Sequence, residues 1–215
     1  GIERETLMTM TEVIEDVLGG DIPDARIVAR SGPTHAEEVA AGLPTAIVAA
    51  CPDLAAAREV QNIFMSLQFR VYVNSDARGV QLCGALKNVI ALASGIAHGM
   101  GFGDNTRAAI ITRGMAEMSR LGIAMGCAPE TFFGLAGIGD LVVTCMSVHS
   151  RNNSCGMMIG QGVPLDEALS RVGMVVEGVN TLPAALLLAE KYGVELPIIS
   201  MVDRVLYHGL SPRAA

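Results

Sequence analysis

Apolar and polar positions follow two different rhythms along this 215-residue chain. Residues 9–18 put Met10, Val13, Ile14 and Val17 on one helical face, and Gly19-Gly20 follows as a stop signal. Residues 25–30 read as a short strand that ends in Ser31-Gly32-Pro33-Thr34. A helix at about 35–41, a strand at 45–50, a helix opened by Asp53 and reaching about 67, and a strand at 69–73 come next. Helices alternating with strands predict part of an α/β layer, an incomplete parallel sheet. The alternation then stops. From residue 77 onward only helical periodicity remains. Asp104-Asn105 reads as a cap for a helix carrying Ala108, Ile111, Met115, Met118 and Leu121. Further helices are expected at about 128–135, 139–146, 150–160, 164–171, 177–191 and 197–208. Asn74-Ser75-Asp76 is the natural boundary, which gives parts at 1–75 and 76–215.

One stretch, residues 79–98, is apolar nearly all round. Leu82, Leu86, Val89, Ile90, Ala93 and Ala97 share a face, and Cys83, Ala91, Ser94 and Gly95 occupy the other. Such a helix is normally buried. Its single formal charge is Lys87, with Asn88 beside it. A buried ammonium must be paired, reach water or lower its pKa, so Lys87 is a candidate proton-transfer group. The competing reading is that it extends along its own stem to the surface.

Composition narrows the classes. Hydrophobic residues make up 51% of the chain and charged ones 17%, enough for a well-filled core. No uninterrupted apolar run reaches the ~18 residues of a membrane span, and the charged start Gly1-Ile2-Glu3-Arg4-Glu5 has no signal-peptide pattern. A net charge of −7 argues against general nucleic-acid binding, and the absence of Trp argues against a base-stacking platform. The five cysteines are odd in number and contain no C-x-x-C pair, which fits a reducing cytoplasm without disulfides or structural zinc. Cys83, Cys127 and Cys145 read as small core residues. The 24 glycines point to close helix packing or to backbone that approaches a ligand.

Three segments carry candidate chemistry. In GLAGIGDLVVTC the glycines converge on Asp140, which reads either as a helix N-cap or as an acid that bonds a substrate hydroxyl or pairs with Lys87. Ser150-Arg151-Asn152 reads as a capped helix start with a guanidinium in its first turn, the makings of an anion site. A surface salt bridge is the alternative for Arg151. Ser31-Gly32-Pro33-Thr34, after a strand, is a weaker device of the same kind. The G-x-G-x-x-G turn that opens dinucleotide-binding domains is absent. Gly99-x-Gly101-x-Gly103 lies between helices, the wrong context. The expectation that follows is a chain lacking an N-terminal half.

The segments SGPTHAEEVAAGLPTA, FRVYVN, GALKNVIALASGI, GDNTRAAIITRGMAEMSRLG, GLAGIGDLVVTC, SRN and VVEGV occur in one order with consistent spacing. Together they resemble bacterial NAD(P)-dependent glycerol-3-phosphate dehydrogenase over essentially the whole chain. The resemblance implies the C-terminal half of a dinucleotide-binding, Rossmann-like domain at 1–75 and an all-helical substrate domain at 76–215. It implies a cytoplasmic oxidoreductase that interconverts sn-glycerol 3-phosphate and dihydroxyacetone phosphate with NAD or NADP, and that supplies phospholipid synthesis. No metal, nucleic acid or membrane span is implied, and a homodimer is left open. Lys87 would be the proton donor and acceptor. Gly32, Thr34, Lys87, Asp140, Ser150, Arg151 and Asn152 would line the substrate site, and Ala36, Arg151, Val175 and Glu177 would touch the cofactor. One departure stands out. The family often has basic residues after Ser-Arg-Asn, whereas this chain has Asn153-Ser154-Cys155, which implies a weaker local positive field. Two other readings remain: a dehydrogenase of another small substrate, and a non-catalytic helical dimerisation module.

Overall fold

The computed structural model describes residues 1–19 and 27–215. Helix α1 (Met10–Val17) comes first. The Glu12 carboxylate accepts from the backbone N–H of Thr9 at 2.7 Å and pairs with Arg78 at 2.5 Å. A three-stranded sheet follows, built from β1 (Ala29–Ser31), β2 (Thr45–Ala50) and β3 (Phe69–Asn74), with α2 (Ala36–Ala40) and α3 (Leu54–Phe64) between the strands. Residues 20, 25 and 26, part of the stop signal and strand expected from the pattern, lie outside the described residues. The strand itself starts at Ala29.

β2 and β3 pair in parallel, Thr45 against Phe69 through Ala50 against Asn74. β1 departs from the parallel expectation: it runs antiparallel to β2, Ala29 against Ala50 and Ser31 against Val48. The link from Ser31 to Thr45, which contains α2, is long enough for either direction, so the direction is set by how β1 docks on β2 and α4 and not by the length of the connection.

From residue 77 every regular element is helical: α4 (Ala77–Gly99), α5 (Asp104–Ala124), α6 (Pro129–Phe132), a π-helical turn Leu135–Gly139, α7 (Asp140–Met146), α8 (Arg151–Gly160), α9 (Leu165–Val172), α10 (Glu177–Tyr192) and α11 (Pro197–Tyr207). Asp104 is not a cap. Gly103, with extended backbone, holds that position, and Asp104 is already the first helical residue. Asp76 does cap α4: its carboxylate accepts from Gly79 N–H at 2.8 Å, and also from Ala128 N–H and the Thr131 hydroxyl at 2.9 and 2.7 Å. One carboxylate thereby ties the starts of α4 and α6 together.

Helix α4 is the axis of the fold. It packs against α5, α7, α8, α10 and α11, and Leu82, Leu86, Val89, Ile90 and Leu92 are fully buried. It is long and apolar enough to cross a membrane, but most of it is buried inside the protein. The tightest contact is with α8. A Cβ added to Gly95 or Gly99 would overlap the carbonyl oxygen of Asn153 or Met157. One added to Gly156 or Gly160 would overlap that of Leu92 or Ile96. The two helices therefore touch backbone to backbone along paired G-x-x-x-G rows. The sheet has smaller cores, such as Ile47, Ala49 and Val71. No residue of α1 is buried, and Met10, Ile14 and Val17 are exposed. All five cysteines are buried and none forms a disulfide among the described residues, and burial pushes the Cys145 thiol up to about 12.

Two measurements test this packing. Gly156→Ala inserts a methyl where α4 backbone already stands. The unfolding free energy should fall by ~1–3 kcal/mol or more, read as a lower urea midpoint, and an unchanged midpoint would contradict the contact. Glu117 on α5 is buried, and its two oxygens accept from the Ile198 and Ile199 N–H groups at 2.7 and 3.3 Å, at the start of α11. Burial raises its pKa, and the two N–H bonds oppose that shift. The folded carboxyl thus keeps its proton to higher pH than the unfolded one. Its contribution is most favourable below about pH 4.5, the ordinary value, and is lost as pH rises through the folded pKa. Glu117→Gln keeps an acceptor and removes this dependence. The stability of the variant relative to wild type should therefore rise from pH ~4.5 to neutrality, as followed by urea unfolding at several pH values.

Candidate active site

Along α4, residues Gln81, Gly84, Lys87 and Asn88 form the stripe that faces away from the helical core. They make one wall of a cavity of about 650 Å³ between the sheet and the helices. The opposite wall comes from β1, from the turn after it and from α2. The Ser147-to-Ser150 loop, the start of α8 and the start of α10 complete it. Ser31 meets α4 where Gly84 has no side chain: a Cβ there would stand 2.9 Å from the Ser31 hydroxyl.

Lys87 does not run to open surface. Its ammonium donates to the Asp140 carboxylate at 2.5 Å, with the two side chains 18% and 3% exposed. Asp140 is the first residue of α7, directly after the π-helical turn, and makes no cap bond of its own. Its other oxygen accepts from the Thr144 hydroxyl one turn later at 3.2 Å. Burial drives the Asp140 pKa up, and the Lys87 ammonium pulls it back down. The pair is thus a proton-bearing centre at the cavity wall, held on the side away from the cavity by a buried acid.

Asn88 holds the next layer. Its amide donates to the Gly84 carbonyl and to Glu177, both at 3.1 Å, and its oxygen accepts from Asn152 at 3.0 Å. Asn152 in turn accepts from Gly178 N–H at 2.8 Å. This relay satisfies two buried amides and locks the first turns of α8 and α10 onto α4. Ser150 caps α8, its hydroxyl accepting from Asn153 N–H at 3.2 Å. Arg151, the first residue of α8, is half-buried on the cavity wall and makes no ion pair among the described residues. The salt-bridge alternative therefore finds no partner among the described residues. A helix N-terminus and an unpaired guanidinium together favour an anion here. Asn153 points the other way and donates to the Cys145 carbonyl at 2.7 Å, alongside Arg107 and Ser94. The residues that depart from the family pattern thus begin with one that serves α7 rather than the cavity.

Of the residues singled out from the sequence, Thr34, Ala36, Lys87, Ser150, Arg151, Asn152 and Glu177 line the cavity, and Asp140 reaches it through Lys87. Two do not line it. Gly32 turns at φ +155°, where a Cβ would stand 3.1 Å from Ile47 Cα, so it shapes the turn that Thr34 closes by donating to its carbonyl at 3.2 Å. Val175 is exposed in a separate depression beside Leu169 and Val179. Asn88, noted beside Lys87, also lines the cavity, as do Gln81, Thr144, His35 and His149, which were not singled out. The spacing of Gln81, Gly84 and Lys87 was a legible signal. The two histidines meet only in three dimensions.

This arrangement as a whole matches a solved structure, glycerol-3-phosphate dehydrogenase from Coxiella burnetii. The TM-score is 0.94 at 40% identity, over 99% of this chain and 64% of that one. The fold is thus the one seen in that dehydrogenase structure, with a sheet and a helical part around one cavity. The family is more specific. Residues 76–215 match the NAD-dependent glycerol-3-phosphate dehydrogenase C-terminus and residues 1–57 match its N-terminus. The chain belongs to the NAD-dependent glycerol-3-phosphate dehydrogenase family. It is 59% identical to glycerol-3-phosphate dehydrogenase [NAD(P)+] 2 of Lactobacillus delbrueckii subsp. bulgaricus and 57% identical to the enzyme named glycerol-3-phosphate dehydrogenase [NAD(P)+] in Pelotomaculum thermopropionicum. It covers 64% and 61% of their lengths, with 99% and 100% of this chain aligned.

Proposed function

We propose that this chain carries the substrate site of a cytoplasmic NAD(P)-dependent oxidoreductase that interconverts sn-glycerol 3-phosphate and dihydroxyacetone phosphate, supplying glycerol phosphate for phospholipid synthesis. Residues 1–75 act as the sheet-bearing cofactor side and residues 76–215 as the substrate side. The observation that carries the reading is the Lys87–Asp140 pair within the same cavity as Arg151 and the α8 N-terminus. That cavity, about 650 Å³, is of a size that holds a small ligand with part of a cofactor. Ala36, Arg151 and Glu177 on its wall would hold the nicotinamide end. When bound, NAD(P)H supplies the hydride.

The chain's own residues then have distinct tasks. Arg151, Ser150 and the α8 N–H groups bind the phosphate and fix the ketone by remote contacts. The Lys87 ammonium faces the carbonyl oxygen, stabilises the negative charge that grows there and donates the proton. In the oxidation direction neutral Lys87 removes that proton. Asp140 holds the ammonium in place, and Thr144 holds Asp140. The Asn88–Asn152 relay positions both the lysine helix and the anion-binding turn.

The reading is tested by NAD(P)H oxidation that depends on dihydroxyacetone phosphate in the intact protein. Absence of that turnover, or equal turnover of an unphosphorylated ketone, would sink it. Lys87→Met keeps most of the stem but loses proton transfer, so kcat should fall at least ~10²–10⁴-fold with an unchanged circular dichroism spectrum. A folded variant that keeps about a tenth of wild-type turnover is inconsistent with the role. Arg151→Ala should raise KM for dihydroxyacetone phosphate by an amount equivalent to ~2–5 kcal/mol, measured by steady-state kinetics. An unchanged KM would remove Arg151 from the phosphate site.

A further inference from the structure

His35, at the start of α2, and His149, in the loop before α8, come from the two different parts of the chain and meet over the cavity. Their ring centroids are 5.9 Å apart, with the planes tilted by 57°. The His35 ring is half-buried, and its Nε2 is buried without a hydrogen-bond partner among the described residues. An orphaned buried ring nitrogen beside a ligand cavity calls for a partner that arrives with the ligand. His149 is exposed and immediately precedes Ser150 and Arg151, which places the pair at the anion-binding end.

Charge balance points the same way. A phosphomonoester carries about −1.5 to −2 near neutrality. On the cavity wall Lys87 is committed to Asp140, and Arg30 lies 4.0 Å over the Phe64 ring. Arg151 is the guanidinium left over on the cavity wall among the described residues, and Glu37 and Glu177 oppose it. Set against Arg151 alone, a phosphate of about −2 keeps about one negative charge uncompensated, before Glu37 and Glu177 are counted. Imidazoles are the side chains able to provide the missing positive charge near neutral pH by taking a proton from solvent.

We propose that His35 and His149 form a second arm of the phosphate site, donating hydrogen bonds to the phosphate oxygens alongside Arg151 and taking up a proton as the phosphomonoester binds. This rests on the glycerol phosphate reading above. Because one imidazole comes from each part of the chain, the bound phosphate also bridges the sheet side to the helical side.

The test is calorimetric titration of the intact protein with sn-glycerol 3-phosphate, and separately with glycerol, near pH 7 in two buffers of different ionisation enthalpy. Wild type should take up a measurable fraction of a proton with glycerol 3-phosphate and none with glycerol. The double variant His35→Gln, His149→Gln should lose that uptake and bind ~10–100-fold more weakly, the worth of a charge-assisted hydrogen bond. His149→Gln alone, at an exposed position, should show the same signs at smaller size and covers the case in which the double variant fails to fold. Wild-type affinity and proton uptake in a folded double variant would overturn the histidine arm while leaving the proposed function standing. No binding of glycerol 3-phosphate to wild type, or binding no tighter than that of glycerol, would overturn both.

Discussion

The structure depends on one close approach. Gly95 and Gly99 on α4 meet Gly156 and Gly160 on α8 with no side chain between the helices. Backbone-to-backbone packing leaves almost no freedom in how α8 can sit, because protein interiors do not deform smoothly. The consequence lies further along both helices. Lys87 and Asn88 are about two turns before Gly95, and Arg151 and Asn152 are about one turn before Gly156. Fixing the glycine rows therefore fixes the lysine against the anion-binding turn, and the Asn88–Asn152 bond at 3.0 Å records that register.

On that scaffold sits a pair that is awkward energetically and useful chemically. Burying a lysine and an aspartate together gains little net stability, and removing one partner leaves the other stranded. An apolar pair would pack as well. What an apolar pair lacks is an ammonium held at a cavity wall by an acid that burial itself pushes toward protonation. The neighbouring backbone is arranged to the same end. The π-helical turn before α7 puts Asp140 under Lys87, and three donors, from Asn153, Arg107 and Ser94, hold the last turn of α7 at the Cys145 carbonyl.

Much of this is legible in the residues. A stretch apolar all round is normally a buried helix, and a single lysine inside it must be paired, reach water or lower its pKa, which marks Lys87 from the sequence. Ser150 in front of Arg151 announces a capped helix start, and the abundance of glycine announces close packing. The antiparallel β1 was not legible, because strand direction depends on how β1 docks against β2 and α4 and not on the pattern within the strand. Asp140 reads equally well as a cap from sequence, and only the π-helical turn before it shows that its carboxylate is free to face Lys87.

Local pattern is enough to place most of the elements, the change from mixed structure to helices near Asn74, the burial of α4 and the chemical character of Lys87, Asp140 and Arg151. These follow from local periodicity and from the cost of burying charge, which act within a few turns of chain. The tertiary structure alone decided which groups share the cavity. It brought Thr144, Gln81 and both histidines to the wall, left Val175 outside and turned Asn153 toward α7. Those outcomes depend on contacts between residues far apart in the chain, such as His35 beside His149, and no local pattern encodes a distance between them.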